Sequence, residues 1–153
     1  MRRQVRVPVS VGALMRMSSA QRDEVFRSSP AGDVPRGTGE GVALLPLGPV
    51  PTRVAAAMIR ALIWKGKVFD PRYDGLRNRI TPLGFRLIRA KVHKGPSWVD
   101  GEESIVLDYS RTSLVAHWIR DEIREVAGHT YLGQVFVRGR KLLHFTLTFP
   151  PLA

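Results

Sequence analysis

The last third of the chain, 104–149, alternates apolar and polar positions in short runs: ESIVLDYS, WIRDEIREV, YLGQVFV and KLLHFTLTF. Each run is rich in β-branched and aromatic residues and is bounded by turn residues, the pattern of an antiparallel meander. In KLLHFTLTF, Leu143, Phe145, Leu147 and Phe149 share one face, and Leu142, His144, Thr146 and Thr148 the other. In WIRDEIREV, Trp118, Arg120, Glu122 and Arg124 oppose Ile119, Asp121, Ile123 and Glu125. In IVLDYS, Ile105, Leu107 and Tyr109 oppose Val106 and Asp108. One sheet face thus gathers Arg120, Glu122, Arg124 and His144, and a one-residue slip of register would turn them to the other.

Upstream, LRNRITP and FRLIRAKVHKG alternate in the same way, with KGPS and WVDGEE reading as turns. KVFD reads as a strand start, and GVALLPL as a short apolar strand with GTGEG, Gly37 to Gly41, as its tight lead-in. Two stretches carry the helical period instead. SSAQRDEVFRS, 18–28, predicts a short helix with Ser18 or Ser19 as cap and Asp23 and Glu24 near its start. PTRVAAAMIRALIW, Pro51 to Trp64, predicts a longer one, with Val54, Met58, Ala61 and Leu62 on one face and Gly66 ending it. Between them lies the turn-rich connector SSPAGDVPRGTGEG.

This pattern predicts a mainly β fold of about six to eight antiparallel strands. Such a sheet must hide one face. A single sheet under one helix does this; a closed or nearly closed barrel does it while also removing exposed edges. The expected architecture is a lipocalin-like (calycin-like) barrel with one packed helix and a short N-terminal helix. Residues 1–17 are expected to form an N-terminal tail and 18–153 a single β-barrel domain.

The chain has 153 residues, one domain's worth, and 44% hydrophobic residues, enough for a core. It has no cysteine, which excludes disulfides and thiolate chemistry. Pro8, Ser10 and Arg16 interrupt the opening segment, so no signal-peptide core forms, and no window is long enough for a membrane helix. A cytoplasmic protein is expected. The net charge of +11 is spread evenly, +6 over 1–70 and +5 over 71–153, and arginine greatly outnumbers lysine. An anionic partner would account for it; so would a GC-rich genome. The aromatics lie in apolar runs rather than among the basic residues, which argues against nucleic acid. Contact with a membrane surface through Pro51–Trp64 stays open, though alanine dominates that helix.

The candidate chemistry lies on the sheet. If the polar face lines a cavity, Arg120 and Arg124 offer fixed positive charge and a planar fork for an acid group. Glu122, Asp121, Tyr109 and His144 are the acid/base candidates, and Tyr131 and Trp64 complete a ligand-binding set. If the same face meets solvent, these residues form cross-strand ion pairs of little energetic weight. His93, His117, His129 and His144 lack the spacing of a zinc site, so no metal is expected. A haem held by His144 inside a barrel is the one cofactor to weigh.

A glycine-rich first strand, then a helix running into Trp64, Gly66, Lys67 and Phe69, a basic strand, VLDYS, IRDEIREV and the Tyr131–Gly133 turn follow in order over 36–149. This order resembles the GXWXG-type, lipocalin-like small bacterial proteins, without their name-giving tryptophan. The resemblance implies a barrel with an internal pocket and no particular reaction. The expected function is binding of a small apolar, anionic ligand such as a fatty acid or polyketide-like acid. The alternative is a small isomerase, cyclase or hydrolase that uses an acid/base pair in the same cavity.

Overall fold

A computed structural model describes the backbone over 8–44, 64–70, 75–80, 85–108 and 119–150, and side chains over 8–36, 39–44, 92–108, 119–141 and 143–150. Two helices come first, α1 (Val11–Met15) and α2 (Ser19–Ser28). Ser18 caps α2 through a reciprocal box. Its hydroxyl accepts from the Gln21 amide (3.2 Å), and the Gln21 side chain accepts from the Ser18 amide (2.9 Å). The carbonyls left over at the end of α1 are taken by a buried arginine: Arg22 Nε donates to Leu14 O (2.9 Å) and Nη2 to Met15 O (3.3 Å). Residues 8–17, expected to belong to a tail, are therefore part of the fold. Leu14 is fully buried, and Val9 N donates to Val126 O at 3.2 Å.

Among the described residues eight strands follow: β1 (Gly37–Leu44), β2 (Trp64–Asp70), β3 (Gly75–Ile80), β4 (Phe85–Pro96), β5 (Glu103–Asp108), β6 (Ile119–Ala127), β7 (Thr130–Val137) and β8 (Arg140–Thr148). The fold is mainly β and antiparallel throughout. Each strand pairs with its neighbours in sequence, and β8 returns to β1, so the ladder closes on itself as a barrel. The glycine run Gly37–Gly41 lies inside β1 rather than leading into it. Trp64 opens β2 rather than ending a helix; the rest of the helix expected over Pro51–Trp64, and Tyr109, fall outside the described residues. β4 runs through to Pro96, so the turn before β5 begins at Ser97. Arg138 and Gly139 both have positive φ, 52° and 80°, and make the two-residue turn between β7 and β8.

The two faces of β5–β8 carry separate cores. On one, Ala31, Ile105, Leu107, Ile123, Tyr131, Phe145, Leu147 and Phe149 pack together. On the other, Leu14 and Phe26 from the helices meet Leu44, Val126 and Leu132 from the strands. The interior of an eight-stranded barrel has room for side chains or one small ligand but not for a pair of helices, so the helix-bearing face is the outer one and the first cluster lines the interior. Both faces of β6 are covered, and Asp121, Glu122, Ile123 and Arg124 are buried in succession.

Candidate functional site

Arg120, Glu122, Arg124 and His144 share one face, as the alternation predicts. That face is the outer one, under α2 and the β4–β5 turn, and not the barrel lining. The reason is the second cover: polar residues suited to a cavity wall are here the sheet's contacts to α2 and to the β4–β5 turn.

Each of the four is committed. Glu122 is fully buried and accepts from Ser97 Oγ, from Trp98 N at 2.9 Å and from Arg120 Nε at 3.1 Å. Arg120 also donates to Pro96 O (2.8 Å) and lies 4.3 Å over the indole of Trp98, whose edge meets Phe136. Arg124 holds Asp100 through both terminal nitrogens (2.6 and 2.8 Å), Ser104 Oγ through Nε (3.0 Å), and the carbonyls of Phe26 (3.0 Å) and Glu102 (3.2 Å). The Arg124 guanidinium, donating to its oxygens, holds the Asp100 carboxyl below the ordinary carboxylate range. These pairs bolt the turn 97–102 and the end of α2 to β6. They do not await an acid ligand.

His144 is also an outer residue. Its Nε2 lies 2.8 Å from Asp23 Oδ1 on α2, and Lys141 Nζ donates to the other oxygen of the same carboxylate. Burial pushes the imidazole pKa below its ordinary value, against the opposing pull of Asp23, so His144 is neutral at pH 7 and donates from Nε2. A haem carried inside the barrel has no axial ligand in His144, which faces the other way and is already engaged. Among the described residues, no three His, Asp or Glu side chains converge as metal ligands.

The inner face holds two of the expected site residues. Asp121 pairs in register with Leu107 and Val135 and is buried among apolar neighbours. Tyr131 stacks edge-on against Phe149 at 5.7 Å and donates its hydroxyl to Asp33 O, with Glu125 Oε2 at 3.4 Å. Burial first, then the Glu125 and Asp33 charges, raise its pKa far above the usual tyrosine value, so it stays a donor. Trp64 sits at the start of β2, opposite Ile80.

Two glycines shape this interior. Phe145 lies flat on Gly133, its partner across the β7–β8 ladder, and a Cβ there would fall within the ring. Phe149 covers Gly39 of β1 in the same manner. Each ring thus packs against the wall at a glycine. An isolated glycine inside a strand is the sequence mark of such close approach. The sequence reading missed this, along with Asp23, Ser97, Asp100, Gln134 and Thr146.

No family model matches the chain, and no curated protein does. The fold matches a solved structure, a crystal structure of a protein from Thermomonospora curvata. Its TM-score is 0.61 and its identity 20%, covering 88% of this chain and 89% of that one. That likeness shows the fold alone. Among the described residues, no helix is long and apolar enough to cross a membrane.

Proposed function

We propose that this chain is a lipocalin-like binding barrel that takes a small apolar ligand into its lumen. The observation that carries it is the placement of Phe145 on Gly133 and Phe149 on Gly39, which lines the interior with aromatic and aliphatic surface. With Arg120 and Arg124 on the outer face, the reason for preferring an anionic ligand is gone. The charged group that the described residues turn inward beside Leu107 is Asp121. Its carboxylate disfavours an acid group beside it, which leaves a neutral ligand such as an alcohol or amide. Glu122 and His144 face outward, so of the described acid/base candidates Asp121 alone remains inside. This favours binding over turnover.

N-phenyl-1-naphthylamine, a neutral fluorescent probe, tests the proposal. It should bind, be displaced by a long-chain alcohol better than by the matching fatty acid, and bind at least about tenfold more weakly (roughly 1.4 kcal/mol) to Gly133→Val, which drives Phe145 into the lumen. No fluorescence enhancement and an interior filled by side chains would sink it.

A further inference from the structure

Gln134 is fully buried, and neither Oε1 nor Nε2 of its amide has a hydrogen-bond partner among the described residues. The same is true of Oγ1 of the fully buried Thr146. The two lie together. Gln134 pairs with His144 across the β7–β8 ladder, and Thr146 is the next residue on that face of β8. On the other side Gln134 pairs with Glu122. Glu122, Gln134 and His144 thus form one row across three strands. One end is held by the β4–β5 turn through Ser97 and Trp98, the other by α2 through Asp23. Gln134 sits where these two covers meet.

Three heteroatoms without partners at one spot cannot be a neutral detail. Each buried donor or acceptor left unmade costs ~1–3 kcal/mol, and a leucine or methionine would fill the same volume without that cost. The charges nearby are already matched, Glu122 by Arg120 and Asp23 by Lys141. A charged guest would arrive uncompensated.

We propose that the seam between α2 and the β4–β5 turn holds a small, neutral, hydrogen-bonding guest, bound by the Gln134 amide as both donor and acceptor and by the Thr146 hydroxyl. Water is the smallest molecule of this class; a short alcohol or amide is the organic alternative. A trapped water typically makes about three such bonds, which is one to each of these three heteroatoms. The site is separate from the lumen, being on the opposite face of the wall.

A crystal structure of the full chain, with native mass spectrometry of the same sample, tests this. Density within hydrogen-bond reach of Gln134 and Thr146 is expected: a single sphere identifies water, and an elongated feature with a matching mass adduct identifies an organic guest. Gln134→Met and Thr146→Val should each lower the melting temperature by several degrees without changing naphthylamine binding. The proposal is overturned if no density lies within reach of the Gln134 amide, if that amide instead bonds to protein atoms, or if Gln134→Met raises the melting temperature.

Discussion

Arg124 gives all five of its N–H groups to named acceptors, on the β4–β5 turn, on β5 and on α2. Its guanidinium also lies 4.4 Å over the ring of Phe26. Removing it strands the Asp100 carboxylate and the last turn of α2 together. Arg124→Ala should therefore cost ~3–5 kcal/mol in urea denaturation. Arg124→Lys should recover little, since an ammonium cannot grip both carboxylate oxygens. Arg138 is the converse case. Its φ of 52° is left-handed, in a turn that asparagine-glycine fits better. Arg138→Asn should stabilise the protein by about 1 kcal/mol in thermal melts. At this scale the sequence was only half legible. It showed that Arg120, Glu122, Arg124 and His144 share a face. It could not show which, because a residue's side of the sheet depends on what covers it, and the cover comes from 8–28 and 97–102, far away in the chain.

At the scale of elements, α2 was readable because a capping box and a helical period are local signals. α1 was not, since five residues hold too little period to register. Yet α1 supplies Leu14 to the outer core and two carbonyls to Arg22. Ser18→Ala should cost ~1 kcal/mol. A chain begun at Met17 should lose more, because it uncovers Val126 and Leu132 and takes two acceptors from a buried guanidinium. Lowered melting temperature together with increased binding of a hydrophobic dye would register that loss; an unchanged melt would show α1 to be dispensable. The strands β5–β8 were legible from alternation, but Gly39 and Gly133 read as turn residues or nothing. Their role exists only once a phenyl ring from the neighbouring strand lies on them.

For the whole molecule, acid should act through the outer face. The His144 pKa is lowered in the folded state, so below about 6.5 the unfolded chain binds a proton that the folded chain does not, and stability falls as pH drops through that range. Asp100 is also lowered, so its contribution is present above about 3.9 and is lost as pH falls further. Melting temperature against pH should thus decline in two stages. His144→Gln should flatten the first stage and leave the second; a decline unchanged in that variant would assign the first stage to another group.

The ladder between β1 and β8 joins residues about a hundred positions apart, Glu40 to Thr148 and Leu44 to His144. This makes the closing seam a matter of time as well as geometry. Every other ladder among the described residues joins strands that follow one another along the chain and can zip as soon as both exist. This one must wait for the end of the chain, and distant pairings of that kind form slowly. Until Phe149 settles on Gly39, β1 and the growing end of the sheet are open edges that a second unfinished chain could join. The hazard for this protein lies in synthesis and refolding, before the wall has shut.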